Sequence, residues 1–157
     1  MLTAADSLPL TSGAGHHFVI VASRYNARYV DGMLEACLAT LRLAGSSEPE
    51  VVYVPGAWEI PVAAVTVARR PARTPSAILC LGVILQGQTS HAQHIGDCVS
   101  DGLMRISVKF GVPVIHEVLT VTSEAQAEER CLHPRTNKGT EAARTALHMA
   151  ELLAKLR

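Results

Sequence analysis

Four short stretches of the chain are dominated by apolar residues, and between them apolar positions recur at helical spacing. The stretches are His17 to Ser23, Val51 to Val54, Ile78 to Leu85 and Val112 to Thr120. Such runs predict strands of a sheet covered on both faces. Pro55-Gly56 stops the second, and the proline at position 113 sits near the start of the fourth, where it is tolerated. Ala27 to Ala44 carries Val30, Met33, Leu34, Cys37, Leu38 and Leu41 at helical spacing and ends at Gly45. Trp58 to Arg70 predicts a second helix, with Pro61 in its first turn, where a missing N–H costs little. Ser90 to Phe110 predicts a long helix closed by Gly111. Ser123 to Cys131 predicts a short acidic one, capped by Ser123 with Gln126 three residues on. A loop from 132 to 139 then leads to an Ala/Leu-rich helix from Thr140 to Leu156.

The order βαβαβαβα with short connections predicts one doubly wound α/β domain over residues 16–157. It is a three-layer α/β/α sandwich of flavodoxin-like type, with a four-stranded parallel sheet and right-handed crossovers. Residues 1–15 are small and polar, without periodicity. They predict either a flexible arm or an edge piece that finds its partner on another subunit, where it can add a strand.

Composition narrows the function classes. The 157 residues are 48% hydrophobic and 18% charged, which excludes disorder. Fourteen basic residues balance fourteen acidic ones, so no field favours nucleic acid or an anionic membrane. Met1 to Gly15 lacks the pattern of a signal peptide, and no apolar run reaches about 18 residues; a cytoplasmic protein is expected. Cys37, Cys80, Cys98 and Cys131 form no CxxC pair, and three of them fall in apolar segments, as small core residues do.

In a parallel sheet the carboxyl ends of the strands gather, and there an open α/β fold places its ligand. All four ends here carry chemistry. The first runs into Arg24-Tyr25-Asn26, the second into Pro55-Gly-Ala57-Trp58-Glu59, and the third into Gln86-Gly-Gln88-Thr89-Ser90-His91. The fourth strand carries His116-Glu117. Thr89 or Ser90 can cap the next helix, leaving an anion-friendly cluster of N–H groups beside His91. His91 is the candidate proton-transfer group, since an imidazole titrates near neutrality; a structural helix-terminal histidine is the alternative. Glu59 either faces the pocket or simply complements a helix dipole. His91, His94 and Asp97 do not share a helix face and match no metal template. Gly82 and Gly87 lack the lysine and hydroxyl of a P-loop, and the glycines at 13–15 precede a strand instead of following one. Arg130, Arg135 and Lys138 are either a solvated loop or, folded back onto the Gln88-Thr89 turn, a phosphate site. The residues alone give a pocket for a small anionic molecule and no named reaction.

A resemblance adds the reaction. Arg24-Tyr-Asn26, Val54-Pro-Gly-Ala-Trp-Glu-Ile-Pro61, Leu81-Gly-Val-Ile84, Gly87-Gln-Thr-Ser-His91, Gly111-Val-Pro-Val-Ile115, Glu124-x-Gln-Ala-x-x-Arg130 and Asn137-Lys-Gly139 together resemble the 6,7-dimethyl-8-ribityllumazine synthase family over about residues 15–156. The resemblance implies condensation of 5-amino-6-(D-ribitylamino)uracil with 3,4-dihydroxy-2-butanone 4-phosphate, with no metal and no organic cofactor. By motif position it implies that Tyr25 stacks on the pyrimidine with Asn26 beside it. Ala57, Trp58 and Glu59 line the ribityl side, Val83, Ile84 and Leu85 border the ring, and Gln88 and Thr89 contact phosphate. His91 moves protons. Arg130 and Lys138 bind phosphate from the adjacent subunit, whose fourth strand supplies Ile115 and His116. The expected partners are therefore the two small substrates and further copies of the chain, with riboflavin synthase a further one. A homopentamer is the implied minimum, and the short interval from Arg130 to Asn137 permits a larger icosahedral shell. His116 stands where many members carry Phe, Gln86 where a basic residue is usual, Gln88 where a small or acidic one is, and Trp58 is bulkier than many residues at its place. A catalytically weak flavin- or lumazine-binding or shell-forming homologue is the alternative.

Overall fold

The computed structural model describes residues 9–157; the arm before Pro9 lies outside them. The elements are β1 (Phe18–Ser23), α1 (Ala27–Leu43), β2 (Glu50–Val54), a 3₁₀ turn (Ala57–Glu59), α2 (Ile60–Ala68), β3 (Ala77–Leu85), α3 (His91–Phe110), β4 (Val114–Val121), α4 (Glu124–Cys131) and α5 (Lys138–Leu156). All strand pairs are parallel, in the order β2-β1-β3-β4. The chain steps outward from β1 to β2, then crosses back to β3 and β4. The topological switch therefore lies between β1 and β3.

The helices divide by direction of travel, as right-handed crossovers require. α1, α4 and α5 cover one face, where Phe18, Ile20, Leu79 and Leu81 pack with Met33, Cys37, Leu41 and Leu147. α2 and α3 cover the other, where Val19, Val21, Ile78 and Cys80 pack with Ile60, Val99 and Leu103. Each strand of the pair β1 and β3 thus feeds two cores, which is why neither shows polar alternation. Among the described residues, no helix is long and apolar enough to cross a membrane.

The sequence-based boundaries shift by two residues in three places. The second helix divides into the 3₁₀ turn and α2, because Pro61 cannot donate and the α-helix starts around it; Arg70 precedes Pro71 and is already outside the helix. β4 opens at Val114 instead of Val112, although the Pro113 carbonyl still accepts from Ile78 N–H at 2.8 Å. α5 starts two residues early, at Lys138, because the Asn137 side chain caps it by accepting from Gly139 N–H at 2.8 Å. Residues 9–15 form no strand and lie on their own chain: Gly13 N–H donates to the Ala44 carbonyl at 2.8 Å, and His148 Nε2 meets the Pro9 carbonyl at 3.0 Å.

Candidate active site

The three turns at the switch point are tied to one another. Arg24 N–H donates to the Val54 carbonyl at 2.8 Å and Tyr25 N–H to the Pro55 carbonyl at 3.0 Å, which locks the β1 and β2 tips together. The Tyr25 ring lies against Gly56, where a β-carbon would come within 2.7 Å of it. Asn26 adopts a left-handed conformation (φ 58°), which Asn tolerates better than most residues. This turns its side chain so that Nδ2 donates to the Val83 carbonyl at 2.7 Å, tying in the tip of β3.

Glu59 closes the 3₁₀ turn. One carboxylate oxygen accepts from Gly56 N–H at 2.9 Å, which fixes the side chain over the turn and leaves the other oxygen free. Ala57 is buried, while Tyr25 (67% exposed) and Trp58 (57% exposed) hold aromatic rings out in solvent. Large apolar rings left in water next to a carboxylate are the usual walls of a ligand cleft. Val83 and Ile84 turn their side chains into the two opposite cores, so the tip of β3 presents backbone at the switch point. The loop after β3 is exposed from Gln86 to Ser90, with His91 exposed as the first residue of α3. The capping expectation there is corrected: Ser90 occupies the cap position but its side chain caps nothing, and Thr89 Oγ1 accepts only a long 3.4 Å bond from His91 N–H.

A second site element lies along β4. The β3–β4 ladder uses odd-numbered β4 residues, with Pro113 and Val121 carbonyls accepting from Ile78 and Gln86 N–H groups. Even-numbered residues therefore aim their backbone groups off the free edge. A groove of about 660 Å³ runs along this edge, lined by His116, Thr120, Gln126, Glu129 and Arg130 among others. It brings together His116 and Arg130, as the resemblance implied, whereas Ile115 is buried in the α1/α4/α5 core. Lys138 is not in the groove lining; its ammonium pairs with Glu141 on the first turn of α5.

Glu117, named with His116 on the fourth strand but given no role there, is the buried carboxylate of β4, 9% exposed. Burial pushes its carboxyl up to about 7; Lys138 and Arg130 draw it back down and Glu141 adds to the rise. The signal in the sequence was a glutamate on the inward side of the alternation Ile115, Glu117, Leu119, Val121. Ser100, bonded to His116, carried no such signal, because its partner is sixteen residues away.

A three-layer doubly wound fold, with its polar and aromatic side chains gathered at the strand tips around the switch, defines a flavodoxin-like α/β protein, a class whose ligands bind at that crevice. The 6,7-dimethyl-8-ribityllumazine synthase family model matches residues 15–154. The enzyme of that name from Xylella fastidiosa (strain 9a5c) is 42% identical over 145 residues, covering 91% of this chain and 93% of that one. Those of Stenotrophomonas maltophilia (strain R551-3) and Xanthomonas campestris pv. campestris (strain B100) are 42% and 41% identical, each covering 88% of this chain and 90% of the relative. The chain belongs to the 6,7-dimethyl-8-ribityllumazine synthase family.

Proposed function

We propose that this chain condenses 5-amino-6-(D-ribitylamino)uracil with 3,4-dihydroxy-2-butanone 4-phosphate to 6,7-dimethyl-8-ribityllumazine, as a cytoplasmic enzyme of riboflavin biosynthesis. The observation that carries the geometry is the linkage of three strand tips, which gathers the turns bearing Tyr25, Glu59 and His91 at the switch point. The pyrimidine stacks on Tyr25. The ribityl hydroxyls donate to the free oxygen of Glu59 beside Trp58, and the ring edge meets the backbone of Ile84 and Leu85. Gln88 and Thr89, at the uncapped start of α3, receive the phosphate; backbone N–H groups at a helix start favour an anion.

The 5-amino group attacks the butanone carbonyl and water leaves as the imine forms. Phosphate is then eliminated, and the ribitylamino nitrogen closes the second ring with loss of a second water. His91 moves protons at the amine and the departing oxygens. Holding two reactants in contact supplies most of the acceleration. The groove along β4 belongs to the cleft of the adjacent subunit: His116 walls the ring site there, and Arg130, with Lys138 behind it, grips the phosphate. A heterologous contact of this kind, tips of one copy against the edge of the next, closes into a ring when the rotation between copies divides a full turn.

The test mixes both substrates with the assembled protein and follows the absorbance of the lumazine product. Product formation is expected. Assembled protein that binds flavin but makes no product would overturn the reading, as would sedimentation as a monomer at micromolar concentration for the shared cleft.

A further inference from the structure

His116 spends both ring nitrogens inside its own chain. Nδ1 accepts from Val118 N–H at 3.3 Å. That N–H points off the free edge of β4, so the strand's own histidine satisfies a group that would otherwise be open to pairing. With Nδ1 an acceptor, the proton sits on Nε2, which donates to Ser100 Oγ at 2.8 Å. Ser100 passes its own hydroxyl hydrogen to the Gly96 carbonyl at 2.8 Å. The chain of donors runs one way, Val118 to His116 and His116 to Ser100 to Gly96, and every hydrogen is used.

Gly96 makes the arrangement reachable. A β-carbon there would come within 2.8 Å of Thr120 Oγ1, so its absence lets α3 lie down on β4. Ser100, one turn later, then reaches the imidazole. The ring is thereby held in one plane and one tautomer at the wall of the groove that also contains Arg130. Since Ser100 donates to Gly96 and does not donate to the imidazole, the pair is no activated nucleophile. Since both nitrogens are engaged, the ring offers a ligand only its faces.

We propose that Ser100 is a positioning residue: it holds His116 as a fixed aromatic plate, without acid–base duty, against which the pyrimidine held by the neighbouring subunit stacks. The inference rests on the shared-cleft reading above. A polar ring can serve in this place because its polarity is consumed by Ser100 and by the strand edge.

The experiment is a double-substitution cycle on the assembled protein: wild type, Ser100→Ala, His116→Phe and the double variant. Equilibrium dialysis gives the Kd of ribitylaminouracil alone, and turnover with both substrates is measured separately. Alanine is the better helix former, so Ser100→Ala keeps α3. It should weaken ribitylaminouracil binding about three- to tenfold, the range for losing one aligned aromatic contact, with kcat within about twofold. In the His116→Phe background, where the ring needs no hydrogen-bond partner, the same substitution should change nothing. Equal weakening in both backgrounds, no weakening in the His116 background, or a loss confined to kcat would each overturn the proposal. Because the cycle is read on binding, wild-type protein that makes no lumazine sinks the proposed function without touching this result, and a flat cycle with normal turnover does the reverse.

Discussion

Asn26 reaches from the tip of β1 to the tip of β3, its side-chain amide donating to the Val83 carbonyl at 2.7 Å. The bond depends on a backbone that only a few residues accept, so conformation and hydrogen bond can be separated by substitution. Asn26→Gly keeps the left-handed turn and loses the bond, while Asn26→Ala loses both. Asn26→Ala should unfold more easily than Asn26→Gly by about 1 kcal/mol in urea titrations. Both should lose affinity for the pyrimidine substrate. Equal stability of the two would show that the conformation at Asn26 carries no strain.

Glu117 makes stability depend on pH in an unusual direction for a carboxylate. Its folded-state pKa is raised from 4.5 to about 7 by burial, so the folded protein holds a proton that the unfolded chain has released. The protonated form is fully present below pH 4.5, and its stabilising effect is lost as pH rises through about 7. Glu117→Gln stays neutral throughout. It should match wild type near pH 4 and exceed it at pH 8 by up to about 3 kcal/mol, read from urea midpoints across the range. A constant difference between the two proteins over that range would refute the assignment.

His91 stands exposed at the first position of α3, so its removal should leave the fold intact. His91→Ala should lower kcat about ten- to hundredfold, the lower end of what acid–base help is worth where proximity dominates. An undiminished rate would remove His91 from the mechanism.

Arg130 lines the β4 groove at the last turn of α4. Arg130→Ala should raise KM for the butanone phosphate about tenfold, the scale of one charge-assisted bond, and leave KM for the pyrimidine near its wild-type value. Steady-state kinetics with each substrate varied in turn decide this, and an unchanged phosphate-substrate KM contradicts the role.

Gly139 sits where α5 crosses α1, and a methyl group there would run into the Met33 carbonyl. The obstacle is backbone and cannot swing aside. Gly139→Ala should cost about 3 kcal/mol or more, seen as a large drop in the urea midpoint or as insoluble protein. A midpoint near the wild-type value would mean that the two helices can part.

The fold was legible because its signals are local and repeated. The apolar run ending at Leu85, the glycine at position 111 with its positive φ, and the Ser123–Gln126 cap each appear in the structure where the chain pattern put them. The second helix was read too long at its start because apolar spacing runs through the 3₁₀ turn before Pro61, and at its end because Pro71 bars Arg70 from the helix. At the candidate site, the strand-end rule pointed to the turns bearing Tyr25, Glu59 and His91; imidazole chemistry suggested a proton-transfer role for His91, and the roles of Tyr25 and Glu59 came from motif resemblance. The Ser100–His116 contact and the depth of Glu117's burial were out of reach for a physical reason. A hydroxyl gains meaning from an imidazole on another element, and a glutamate's burial depends on which helices land on it; neither is written in local spacing.

Trp58 is the single tryptophan of the chain and stands 57% exposed beside Glu59. The protein therefore carries one indole beside its three weaker tyrosine emitters, and that indole stands beside the proposed cleft. A flat, light-absorbing heterocycle settling next to it will dim its emission, so occupancy can be followed on unlabelled protein, one signal per subunit.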